Sequence, residues 1–78
     1  MENNAIVNTR LEDLLNVMDA RANVNIFNKE LSKDERLIRS EKLYCLIADG
    51  EFLSQFGSFK VVGLSVTLGV TSILIEEA

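Results

Sequence analysis

The last third of the chain most constrains what it can fold into. From Phe59 to Ile75 it reads FKVVGLSVTLGVTSILI, and Lys60 is the one charge in that run. Val, Ile and Thr dominate, and β-branched side chains suit a pleated sheet better than a helix. Gly63 and Gly69 interrupt the run. The pattern predicts a third strand over 59–66, a turn near 67–70 and a fourth strand over 71–76. Successive side chains alternate across a strand. Val61 and Gly63 are therefore expected on one face, with Val62, Leu64 and Val66 on the other. In the fourth strand Ile73 and Ile75 share a face and Leu74 takes the opposite one. Both faces thus carry apolar groups. The chain's own helices can cover one, and the other calls for a second cover. The run holds 17 residues with a lysine and two glycines, short of the about 20 apolar residues of a helical membrane span, so no membrane span is expected.

Upstream, residues 1–8 are polar and read as a flexible N-terminus, with 9–78 as a single α+β domain. Thr9-Arg10-Leu11-Glu12 has the form of a capping box, in which the Thr hydroxyl and Glu carboxylate satisfy each other's backbone amides. Leu11, Leu14, Leu15 and Met18 follow at helical spacing, giving a helix from about Arg10 to Asp19. In Val24-Asn25-Ile26 apolar and polar residues alternate, which marks a strand with one buried face. Phe27 places an apolar group on the polar side. The segment from Asn28 to Asp34 reads as a turn. Residues 35–39 fit either a short second strand or a helical turn. Ser40 looks like the cap of a second helix, with Glu41 in its first turn. Leu43, Leu46 and Ile47 form its stripe, and Asp49-Gly50 its end. Residues 51–56 fit one more short turn. The sum is an α+β fold of order α-β-β-α-β-β: a four-stranded, mainly antiparallel sheet with two helices on one face. Its expected core is Leu11, Leu14, Leu15, Met18, Val24, Ile26, Leu43, Ile47, Val61, Ile73 and Ile75.

Composition narrows the function. A chain of 78 residues buries roughly 60–65% of its unfolded surface, a narrow margin for stability. Disulfides, metals or oligomerisation commonly make up the shortfall. With one cysteine and no histidine, neither an internal disulfide nor a zinc site is expected, which leaves self-association. The net charge is −4, unfavourable for nonspecific binding to nucleic acid. The densest basic group, Lys33, Arg36, Arg39 and Lys42, is interleaved with Asp34, Glu35 and Glu41 and reads as a solvated face. The start MENNAIVNTR lacks the basic and apolar regions of a secretory signal. A free cysteine without such a signal suggests the cytoplasm of a cell, including a bacterial host.

Chemistry is sparse. Cys45 is the one obvious nucleophile, but activation needs a nearby base or positive field, and Lys42 is the nearest cation in sequence. The Cys45 thiol reads as a small core or boundary side chain. The pairs Glu12/Asp13, Asp34/Glu35 and Glu76/Glu77 do not converge on one point as acid–base catalysis requires. A divalent cation at Asp34/Glu35 would lack further oxygen ligands. The glycines do not form a phosphate loop. Tyr44, Phe52, Phe56 and Phe59 lack the basic neighbours of a base-stacking platform. No catalytic, cofactor-binding or metal residue is predicted, and the expectation is a protein that is not an enzyme. The candidate interface is Phe27, Val62, Leu64, Val66 and Leu74.

The apolar spacings Leu11-x-x-Leu14-Leu15-x-Val17, Val24-x-Ile26, Leu43-x-x-Leu46-Ile47, Val61-x-x-Leu64 and Ile73-x-Ile75 run across residues 9–76. In that layout the chain resembles the small accessory proteins of phages and integrated prophages in Gram-positive bacteria, which commonly read LxxLLxV at the start and IxI at the end. The resemblance implies no agreed biochemical activity and brings no functional residue with it. The acidic hairpin usual in that group is replaced here by the mixed-charge stretch from Lys29 to Arg39. The leading expectation is an accessory or interaction protein that binds itself or another phage or host protein. A small DNA-binding or transcription regulator is the alternative, although the stretch from Glu41 to Asp49 carries Lys42 alone as a basic residue, a poor recognition helix. An enzyme subunit using Cys45 is the third.

Overall fold

The parity of four strands decides the architecture. The computed structural model describes residues 9–77. Within them α1 spans Leu11–Val17, β1 Asn23–Asn28, β2 Leu37–Lys42, α2 Leu43–Ala48, α3 Gly50–Phe56, β3 Lys60–Thr67 and β4 Val70–Glu76. The strands form one sheet in the order β2-β1-β4-β3. The outer pairs β1–β2 and β3–β4 are antiparallel, and the central pair β1–β4 is parallel. The expected α+β class and four-stranded sheet are present, with three helices among the described residues in place of two.

Register places Val24 and Ile26 of β1 beside Thr71 and Ile73 of β4, and Ile75 opposite Val61 of β3. Paired residues share a face, so these side chains line one side of the sheet. There they meet Leu11 and Leu15 of α1, Leu43 and Leu46 of α2 and Phe52 of α3 in one buried cluster. Leu14 and Met18 pack against this cluster while staying partly exposed. Ile47, an expected core residue, is 41% exposed, and its neighbour Leu46 is fully buried instead. A helix of six residues has barely two turns, too few for a stripe as wide as the periodicity allows.

At α1 and α2 the helix starts depart from their sequence signals because backbone carbonyls from elsewhere supply the caps. The capping box at Thr9 is not what starts α1. Its N-cap is Arg10, without a side-chain cap bond. Leu11 donates its amide to the Phe59 carbonyl at 2.8 Å and Glu12 to that of Gly57 at 2.9 Å. Likewise Ser40 and Glu41 belong to β2 rather than to a second helix. The second helix begins at Leu43, whose amide donates to Ala22 O at 2.9 Å, and Tyr44 donates to Ala20 O at 3.0 Å. Gly50 does not close that helix in a left-handed turn. It opens α3, where Asp49 serves as N-cap and accepts from the Phe52 amide. These bonds satisfy amides that a helix start leaves without intrahelical partners.

Residues 35–39, open between strand and turn, contribute to a strand two residues further on. β2 carries a bulge, since Ile26 faces Arg39 while Phe27 faces Leu37. A second bulge interrupts β3, where Val61 faces Ile75 but Gly63 faces Leu74. Both lie at one level of the sheet, because Phe27 is itself beside Leu74. A bulge shifts the alternation by one residue. Leu64 now pairs with Ile73 and Val66 with Thr71, which moves both onto the helix side. The expected grouping of Leu64 and Val66 with Val62 is therefore corrected: a simple alternation from Val61 takes no account of the extra residue. The hairpin closes through Leu68 (φ 54°) and Gly69 (φ 80°), the two positive values of a type I′ turn. Residues 1–8, expected to be flexible, lie outside the described residues.

The contrast between adjacent residues of α2 is directly testable. Leu46→Ala is expected to cost about 2–5 kcal/mol through the cavity it leaves. Ile47→Ala, half out of the core, should cost under about 1 kcal/mol. Urea unfolding of the two variants checks this, and equal losses would mean that the helix is rotated about its axis.

Candidate interaction surface

The sheet face opposite the helices is built in bands. Asn23, Asn25 and Phe27 alternate with the buried residues of β1 and so point outward. Across one level Leu37, Phe27, Leu74 and Gly63 are consecutive partners on the four strands, with the bulged Val62 beside Gly63. That level is an apolar row. The next is polar throughout: Ser40, Asn25, Ser72 and Ser65, with the Ser40 hydroxyl 2.7 Å from Asn25 Oδ1. The third holds Lys42, Asn23, Val70 and Thr67. The apolar second face expected from the sequence is thus confined mainly to one row.

A shallow concavity of about 290 Å³ opens along that row, lined by Phe27, Leu74, Gly63, Ser65 and Ser72 with Leu64 and Arg36. Gly63 contributes to the dip, for a Cβ there would stand 3.2 Å from Leu74 Cβ. Arg36 is held by its Nε, which donates to the Leu31 carbonyl at 3.2 Å.

Of the candidate interface residues, Phe27 and Leu74 are adjacent and half-buried, and Val62 stands next to them at the β3 bulge. Leu64 and Val66 lie on the other face at the hairpin end, 44% and 67% exposed, where the helices do not cover them. The five residues therefore form two surfaces rather than one. Leu37 and Arg36 were not among them. Leu37 could have been found from its place opposite Phe27 in a hairpin, but not without the β2 bulge that sets that pairing.

The helix side holds the main charged cluster. Arg39 Nη1 donates to Asp49 Oδ2 at 2.9 Å, Arg39 pairs with Glu41, and its guanidinium lies 5.0 Å from the centre of the Phe52 ring. The Phe52 amide and then Arg39 hold the Asp49 carboxyl below its usual range, and the Asp49 bond leads the forces that raise Arg39. Through Asp49 and Phe52, Arg39 ties β2 to the start of α3, while Glu41 pairs with it within β2. Cys45 is half-buried in α2. Asp34 and Glu35 stand exposed before β2. Among the described residues no three His, Cys, Asp or Glu side chains gather to hold a metal ion. No helix among them is long and apolar enough to cross a membrane. No family of proteins, no curated protein and no solved structure matches the chain.

The cluster predicts an acid response. A carboxyl whose folded-state pKa is lowered stabilises the fold above its unfolded value, and that contribution is lost as pH falls toward the folded one. Asp49→Asn should therefore destabilise the protein at neutral pH, and the gap from wild type should close below the ordinary carboxylate range. Urea midpoints measured at neutral and at acid pH give the comparison. A gap that is constant with pH would show that Asp49 acts through its amide bond to Phe52 without its charge.

Proposed function

We propose that this chain is a non-enzymatic interaction module that works through protein–protein contacts and associates with copies of itself. The observation that carries this reading is the uncovered apolar surface of the sheet. It comprises the row through Phe27 and Leu74 and the exposed hairpin bearing Leu64, Val66 and Leu68. Leu68 is 97% exposed and sits at a positive φ, a place where Asn or Gly is the usual choice. Exposed apolar side chains scattered singly are ordinary, but contiguous ones mark contact sites. Burying each such side chain contributes about 1.5–3 kcal/mol, a large amount beside the narrow margin of so small a domain.

The resemblance to phage and prophage accessory proteins fits such a role, in which a small module acts by binding rather than by turnover. A gene neighbourhood containing capsid, portal or integrase genes is the expected finding, and a neighbourhood of metabolic genes would contradict it.

Self-association is checked by sedimentation of the purified chain across a concentration series. The weight-average mass should rise from that of one chain toward that of two. A mass that stays at one chain throughout would contradict this part of the proposal.

A further inference from the structure

We propose that two copies of this chain join edge to edge along β3, forming one continuous sheet of eight strands with the two-fold axis beside Ser65. The proposal rests on the self-association argued above and names its joint.

The sheet has two edges, and they are unlike. Both edge strands carry a bulge, but β2 is short and charged, with Arg39, Glu41 and Lys42 along its six residues. Charges on an edge strand discourage pairing with another chain. β3 has eight residues, and no charged residue occurs from Val61 to Ile75. Residues 64–67 are all exposed.

Pairing on the β3 edge has already begun. Arg10 and Lys60 form an antiparallel bridge, and Val61 donates its amide to the Thr9 carbonyl at 2.8 Å. Among the described residues that pairing stops at Val61. The groups beyond it can be assigned from the hairpin. A two-residue turn makes Thr67 and Val70 a hydrogen-bonded pair, and bonded and non-bonded pairs then alternate. Ser65 bonds inward to Ser72, while the amides and carbonyls of Leu64 and Val66 point out along the edge. The outward amide of Val61 fits the same alternation beyond the bulge.

This stretch is its own complement. An antiparallel second copy centred on Ser65 sets Leu64 against the second copy's Val66, and the reverse, each exchanging the two bonds of a narrow pair. Gly63 then faces Thr67, and the paired length ends where Thr9 takes over. On the helix side the Leu64 and Val66 side chains meet across the joint. On the outer face the row Ser40, Asn25, Ser72 and Ser65 runs on into the second copy. A neutral strand calls for no charged partner, which favours a copy of this chain over an acidic or basic peptide.

Sedimentation of wild type, Val66→Lys and Leu74→Lys, each checked for folding by circular dichroism, tests the joint. Disulfide trapping of Ser65→Cys in a Cys45→Ser background accompanies it. A non-bonded antiparallel pair brings Cβ atoms to about 4.5 Å, near the span of a disulfide. The expected result is loss of the dimer in Val66→Lys, its retention in Leu74→Lys, and a covalent dimer from Ser65→Cys under mild oxidation. Should Val66→Lys fail to fold, the exposed Ser65→Cys still decides. A dimer that Val66→Lys leaves intact, or within which Ser65→Cys does not cross-link, overturns the edge joint and leaves self-association standing. A wild-type chain that stays monomeric overturns both.

Discussion

The parallel pairing of β1 and β4 is the constraint on which the rest depends. It sets Ile26 beside Ile73 and Val24 beside Thr71 at the centre of the sheet. It also unites segments from opposite ends of the described chain. Antiparallel neighbours can be joined by a tight turn, but parallel ones need a long crossover. Here the crossover contains everything between: β2, α2, α3 and β3. Since β2 and β3 pair back on β1 and β4, they fall on the two edges. Long-range pairing of this kind carries a loop-closure cost before any contact rewards it.

What happens at the edges follows from that arrangement. Both bulges lie on edge strands, at the level of Phe27 and Leu74. On β2 the bulge leaves Ile38 packed against the core. On β3 it puts Gly63 beside Leu74 and moves Leu64 and Val66 to the helix side. The three helices have six or seven residues each and cover only part of that side. The hairpin end therefore projects beyond them with its apolar side chains in water. At the opposite end of β3 and β4, Glu76 pairs with both Lys29 and Lys60. The β3–β4 hairpin thus has a charged end and an uncharged one.

Three of the four strands were legible from residue type, and most of their bounds from alternation. The residues of β2 fit either a strand or a helical turn, and its last ones read as the start of a helix. Val24 and Ile26 between asparagines, and the β-branched run after Lys60, announce themselves because burial on one face imposes a period of two. The helix boundaries were less legible. The Thr9 box and the Ser40 cap are good local signals, but tertiary carbonyls at Phe59, Gly57, Ala22 and Ala20 took the amides that those side chains would have held. Asp49-Gly50 reads equally as an end or a beginning, and the Phe52 amide decided it. The bulge at Val62 left no local mark, since Gly63 has a reason to be there only once Leu74 is its neighbour. For the candidate surface, the residue types were visible in the sequence, while their division between two faces depended on that one extra residue.

In the proposed dimer the outward amides of Leu64 and Val66 are the groups on which two copies meet. Residue-resolved hydrogen exchange at low and at high protein concentration reads them one by one. Exchange at Leu64 and Val66 should be fast when the protein is dilute and slow markedly when it is concentrated, while amides along the β2 edge exchange at the same rate in both. Exchange at Leu64 and Val66 that is indifferent to concentration would contradict it.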